Sequence, residues 1–198
     1  YESPYRDYLE SVIGPVAFKN IELELKSFDE KLIPLMQEEN ALVTQYSKLI
    51  AGAKIDWEGE TLNLSLLGKY LISSDREVRK VAHAKRSAWM KENSEALDTI
   101  YDKLVKNRDA QAKALGYKNY VELGYFRMQR NSYDKDAVKV FRDQVKEYFV
   151  PFAEKLNERR RQRLGIDKLY AYDEGVYFLN GNPAPLGDPE TIMKNGQK

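Results

Sequence analysis

The chain has 198 residues, with 32 Lys and Arg against 31 Asp and Glu, a formal net charge of +1, no cysteine and one histidine, His83. That balance supplies no global pull toward nucleic acid or anionic membrane. The lack of thiols excludes disulfides, thiol nucleophiles, iron–sulfur clusters and Cys-type zinc sites. One imidazole is too few for a catalytic zinc centre, since the helical pattern His-Glu-x-x-His uses two by itself. This chain is therefore expected to bind no zinc of its own. The longest charge-free stretch, Gly175 to Gly187, is broken by Pro183 and Pro185 and cannot cross a membrane as a helix. Tyr1-Glu2-Ser3-Pro4 lacks the basic-then-apolar layout of a signal peptide, which with the absence of Cys favours the cytoplasm.

Helical periodicity dominates the pattern. Ser3-Pro4 reads as a cap with proline in the first turn, and Leu9, Val12 and Ile13 hold one face until Gly14-Pro15 interrupts. Phe18, Ile21, Leu25 and Phe28 continue at spacings of three and four. Leu32, Leu35, Leu42, Tyr46 and Leu49 form another stripe, with Pro34 kinking or restarting that helix. Ile55, Trp57, Leu62 and Leu64 alternate with polar neighbours around Glu58-Gly59, which predicts a hairpin near residues 55–64. Ser74 and Glu77 make a capping-box pattern, opening a helix that carries Val78, Val81, Ala82, Ala88 and Trp89 inward.

The next helix is the clearest in the chain. Leu97, Ile100, Tyr101, Leu104, Val105, Arg108, Ala112 and Leu115 hold one face up to Gly116. Asn119 and Glu122 open a short helix through Arg127. Asp134 opens a long one to Leu164, with Val138, Phe141, Val145, Phe149, Phe152 and Leu156 facing in, a kink at Pro151 and an end at Gly165. Leu169 to Leu179, turning at Asp173-Glu174-Gly175, reads as a second hairpin. Asp188-Pro189-Glu190 starts a final helix that Lys198 cuts short, as at a fragment boundary. The fold class is mainly α, a multi-helix array with one or two short β-hairpins. It divides into a helical segment, residues 1–165, and a hairpin, loop and truncated helix, residues 166–198.

Chemistry-bearing motifs are sparse. His83 sits among cations and reads as a neutral, part-exposed side chain. No nucleophile elbow, phosphate loop or dinucleotide fingerprint occurs. Glu38-Glu39 and Asp173-Glu174 are adjacent in sequence, so their side chains diverge. Arg159, Arg160, Arg161 and Arg163 spread around the last turns of a helix, where cations complement the dipole, and read as a solvated end rather than a nucleic-acid patch. Tyr117 to Tyr133 is richest, with Tyr125, Arg127, Arg130 and Tyr133 as substrate-channel candidates. Tyrosine hydroxyls and guanidinium forks hold peptide carbonyls or a terminal carboxylate, while the competing reading of the same residues is helix packing with snorkelling tips.

The run Leu97-Asp-Thr-Ile-Tyr-Asp-Lys-Leu-Val-Lys-Asn-Arg108, then Ala114-Leu-Gly-Tyr-Lys-Asn-Tyr120, Glu122-Leu-Gly-Tyr125 and Arg127-Met-Gln-Arg130, resembles the oligoendopeptidase F family of thimet-like zinc oligopeptidases. The likeness runs from about Phe28 to Lys198, through Glu38-Glu-Asn40, Ser74-Asp-Arg76, Phe141-Arg142, Gly165-Ile-Asp-Lys168 and Gly181-Asn-Pro183. It implies part of a two-lobed helical endopeptidase that hydrolyses short oligopeptides in a channel. In such enzymes zinc is held by the two histidines of His-Glu-x-x-His and a later glutamate, and the Glu inside the motif activates water. None of these has a counterpart here. The resemblance thus implies a segment preceding the catalytic half, inactive alone, with short peptides and that missing half as partners. The alternative is a self-sufficient helical binding or scaffold module, which would have sealed its apolar faces.

Overall fold

The structure is a computed structural model that describes residues 1–197. It contains the helices α1 (Arg6–Ile13), α2 (Pro15–Ser27), α3 (Ile33–Ala51), α4 (Leu64–Leu71), α5 (Arg76–Glu92), α6 (Ser94–Ala114), α7 (Tyr120–Arg127), α8 (Lys135–Gln144), α9 (Val150–Arg163) and α10 (Pro189–Gly196). One antiparallel pair, β1 (Ile55–Trp57) and β2 (Glu60–Leu62), accompanies them, with Ile55 opposite Leu62 and Trp57 opposite Glu60. The expected mainly α array with a hairpin near residues 55–64 is what forms. Among the described residues no helix is long and apolar enough to cross a membrane. The chain makes two compact units, each discontinuous in sequence: Tyr1–Gly52 with Glu92–Val150, and Ala53–Lys91 with the residues from Pro151 on.

In the first unit, Gly14 adopts φ +98° and lets the chain leave α1 for α2, whose first residue is Pro15. A short 3₁₀ turn, Glu30–Leu32, is capped by the Asp29 carboxylate and precedes α3. Pro34 lies in the first turn of α3, so it restarts the helix where its missing N–H has no partner to lose. α3 packs on α6, α2 on α7 and α1, and α6 on α7. Phe18, Leu23, Leu32, Leu42, Ile100, Ala112 and Leu123 are buried between them. Tyr46, Tyr101 and Val105 belong to the predicted stripes yet are exposed. On α6 the buried line is instead Ile100, Asn107, Gln111 and Ala112, so polar residues occupy places expected for apolar ones.

The second unit contains the hairpin, whose two-residue turn places Glu58 and Gly59 at φ 52° and 88°. Trp57 is buried and stacks on Tyr70 with ring centroids 4.2 Å apart. Leu64 is not a strand residue: Asn63 accepts a hydrogen bond from the Leu66 N–H and caps α4 there. The cap of α5 is Asp75 rather than Ser74, its carboxylate accepting from the Glu77 N–H at 2.9 Å.

The predicted second hairpin, Leu169 to Leu179, does not form. A 3₁₀ turn, Ala171–Asp173, stands in its place, because the Asp173 carboxylate is drawn inward by two guanidinium groups. Arg76 donates to it from Nε and Nη2 at 3.0 and 2.9 Å, Arg79 from Nη2 at 2.9 Å, and the Tyr170 N–H at 3.1 Å. Arg79, itself buried, spends its other donors on the carbonyls of Tyr172, Ser73 and Ser74.

The arginine run departs in part from its reading as a solvated end: Arg159 and Arg163 are exposed, but Arg160 is not. Arg160 is buried and donates to the Glu174 carbonyl, Arg161 donates to Glu158 and to the Ile166 carbonyl, and Arg163 lies over the Phe178 ring. These side chains pin the segment after Gly165 to α9.

The long helix opened by Asp134 is interrupted. Pro151 cannot donate to the Glu147 carbonyl, and the preceding turn widens into a π-helical stretch, Val145–Phe149, in which the Val150 N–H reaches the Val145 carbonyl. Phe141, Phe149, Phe152 and Leu156, predicted to face in, are exposed. Periodicity identifies an apolar face but not the surface that covers it.

Burial alone would raise the pKa of Asp173, but the hydrogen bonds from Arg76, Tyr170 and Arg79 outweigh it and hold the carboxyl below the usual aspartate range. A lowered folded pKa makes this contribution complete above about pH 4 and lost as pH falls through the folded value. Asp173→Ala, which strands two cations, should cost about 3–5 kcal/mol in denaturant unfolding. Asp173→Asn should make the fall of melting temperature below about pH 4 shallower than in the parent chain.

Candidate functional site

α7 carries the Tyr/Arg segment. Asn119 caps it by accepting from the Val121 N–H at 3.0 Å. Gly124 has no Cβ to press on the Tyr120 ring, which an added Cβ would meet at 3.2 Å. The helix ends in a Schellman turn: the Arg130 N–H reaches the Tyr125 carbonyl at 3.1 Å and the Gln129 N–H the Phe126 carbonyl at 2.8 Å. Gln129 holds φ 51°, the left-handed conformation usually left to glycine. That turn brings residue 130 back beside residue 125, and the Arg130 guanidinium lies 4.5 Å from the Tyr125 ring centroid and 5.6 Å from that of Tyr133.

These three side chains line one cavity of about 640 Å³, together with Lys118, Val121, Glu122, Phe126, Asp134 and Lys135 among others. Val121 and Phe126 supply an apolar wall. Tyr117 braces the site from behind, its ring edge-on to Phe126 at 5.6 Å and its hydroxyl donating to the Lys26 carbonyl at 2.8 Å. Burial and the nearby Glu122 charge push the Tyr117 hydroxyl above the usual tyrosine range, so it stays a donor.

Arg127, the fourth candidate, is not among the residues lining this cavity. Its Nη2 donates to Gln111 Oε1 at 2.6 Å and its Nη1 lies 3.5 Å from Glu39. Gln111 donates in turn to Glu39 at 2.7 Å and to Asn107 at 2.6 Å, Arg108 donates to Glu39 at 2.7 Å, and Asn107 donates to Glu38 and to the Leu35 carbonyl. Burial pushes the Glu39 carboxyl up. The hydrogen bonds from Gln111 and Arg108 and the charges of Arg108 and Arg127 more than offset this, keeping it ionised below the usual range. Arg127 therefore ties α7 to α3 and α6 and fixes where the cavity residues stand. Sequence reading missed Asn107 and Gln111; their signal was positional, since residues 100, 104, 107 and 111 share one helical face.

His83 is half-buried, with its ring edge-on to Tyr172 at 6.4 Å between centroids. Among the described residues no group of three or more His, Asp or Glu side chains converges as a metal ligand set. The residues present do not fit a catalytic zinc site.

Residues 70–181 match peptidase family M3. The chain belongs to that family. An oligoendopeptidase F from Bacillus anthracis strain Ames superposes with a TM-score of 0.92 and 42% identity, over 99% of this chain and 36% of its own length. A second oligoendopeptidase F structure gives 0.94 and 44%, over 99% and 35%. PZ peptidase A, solved with an inhibitor, gives 0.94 and 45%, again over 99% and 35%. This M3 chain thus spans 35–36% of the length of these similar structures. The likeness includes the opening helices, which the sequence resemblance left out. No curated protein matches it.

Arg127→Met should leave Gln111 Oε1 without its donor and cost about 1–3 kcal/mol. Amide exchange at Tyr125 should quicken in step, as α7 loses its tie. Unchanged melting and unchanged exchange would refute the tie.

Proposed function

We propose that this chain forms part of the peptide-channel wall of a zinc metalloendopeptidase that hydrolyses peptide bonds in short oligopeptides, and that it is inactive alone. The identity of 42–45% to oligoendopeptidase F structures and PZ peptidase A over 99% of the chain carries this reading. Tyr125, Arg130 and Tyr133 contact peptide, and Arg127 holds them in place. Residues 1–165 act as the wall lobe and those from 166 on lead toward the catalytic half.

The zinc ion, when bound, supplies Lewis-acid activation of water, and its ligands lie outside these 198 residues. The work of this chain is to bind and orient the peptide and to limit its bulk. Its partners are short peptides and the catalytic half, with neither nucleic acid nor membrane involved, and its place is the cytoplasm. The exposed Phe141 and Phe149, on α8 and the π-helical stretch, support a segment with a larger protein partner over a sealed stand-alone module.

Two measurements test the reading. An internally quenched oligopeptide incubated with the purified 198-residue chain should remain uncut, and metal analysis should find no stoichiometric zinc. Chelator-sensitive cleavage by this chain would overturn its role as a wall. Second, the gene read beyond Lys198 should encode His-Glu-x-x-His; a stop codon there would favour the scaffold alternative.

A further inference from the structure

Arg130 differs from the other arginines whose contacts organise this chain. Arg76, Arg79, Arg108 and Arg127 each donate to a carboxylate, a carbonyl or a side-chain amide. Among the described residues the Arg130 guanidinium forms no side-chain hydrogen bond or ion pair, only the ring contacts to Tyr125 and Tyr133. It is nonetheless half-buried and lines a cavity. Ring contacts at 4.5 and 5.6 Å occupy no N–H donor of the guanidinium, which leaves those donors available to a ligand. Two parallel donors in one plane match a planar oxyanion, and among groups a peptide carries that is a carboxylate.

The surrounding charges agree. Lys118, Arg130 and Lys135 line the cavity against Glu122 and Asp134. Asp134 caps α8 by accepting at Oδ1 from the N–H groups of Asp136 and Ala137, and it keeps its negative charge. Lys135 is only loosely held by Asp136 at 3.5 Å on the surface, and Lys118 has no ion-pair partner among the described residues. Three cations thus face two acids, Glu122 and Asp134, which leaves the lining with an excess of one positive charge. Val121, Phe126 and the two tyrosine rings give the cavity an apolar flank beside the cationic edge. Its volume, about 640 Å³, suits one or two peptide residues and not a folded chain.

We infer that this cavity captures a peptide carboxylate through Arg130, with the neighbouring apolar or aromatic side chain of that peptide lying against Val121 and Phe126. The inference rests on the reading of this chain as a peptide wall and adds what the wall recognises. The carboxylate has two possible sources, a free C-terminus or an acidic side chain.

The test titrates the 198-residue chain with three N-acetylated tripeptides ending in phenylalanine: the free acid, its C-terminal amide, and an amide with glutamate in the middle. Binding is read by NMR at the Tyr125 and Tyr133 rings and at Arg130 Nε–H. At least one carboxylate-bearing peptide should move these signals and bind about tenfold more tightly than the neutral amide. A tighter free acid assigns the source to the C-terminus, and a tighter glutamate peptide to the side chain. Arg130→Gln should erase that tenfold difference, Arg130→Lys should keep part of it, and Glu122→Gln should enlarge it. The Arg130 side chain makes no hydrogen bond within the described residues and its backbone bond to Tyr125 does not depend on the side chain, so the Arg130 variants should remain folded, which their melting transitions check. Equal binding of acid and amide at these signals would overturn carboxylate capture and leave the peptide wall standing. Absence of binding by all three would overturn both.

Discussion

Glu39 is the pivot of the first unit. One carboxylate, half-hidden between α3 and α6, accepts from Arg108 and Gln111 and sits 3.5 Å from Arg127. Without it Gln111, which is wholly buried, would lose one of the two acceptors of its amide N–H groups, and Arg127 would lose its ion-pair partner. Helix α7 is only eight residues long, too short to be stable by itself, so its place depends on what it is tied to. The cavity is built on its outer side. Chemistry at the surface of this unit thus follows from a polar network in its interior.

The second unit solves a similar problem with Asp173. The segment after Gly165 contains few large apolar residues that are buried, Val176 being the main one. It is held instead by Arg76, Arg79 and Arg160, which reach carboxylate and carbonyl oxygens of that segment. Both units place guanidinium groups where a larger core would place leucines. Such interactions are directional, so each fixes a local geometry that apolar contact alone would leave loose.

Much of the helical order was legible because spacing of three and four residues, proline in first turns and glycine past last turns are local signals. Pro15, Pro34, Gly116 and Gly165 all behave as such signals predict. What was not legible was decided by tertiary partners. Nothing local in Tyr170 to Gly175 announces that Asp173 will be drawn between two arginines and bend a presumed strand into a 3₁₀ turn. The same holds for Arg160, whose surroundings look solvated in sequence but are not in space. The outward phenylalanines of α8 and α9 show the converse limit: the pattern correctly reports an apolar face, while spacing alone does not say whether that face is buried. Within the candidate site, Tyr125, Arg130 and Tyr133 were found by composition and do come together. The role of Arg127 was hidden because its acceptor Gln111 and its ion-pair partner Glu39 lie 16 and 88 positions away.

The left-handed Gln129 has a kinetic meaning as well as a geometric one. Because the Schellman turn and the two rings already confine Arg130, most of the rotamer freedom of a long cationic side chain is surrendered when the protein folds. An incoming molecule then meets a fork already in position and need not freeze it. On the proposed reading of this cavity, weak and brief encounters thereby remain selective.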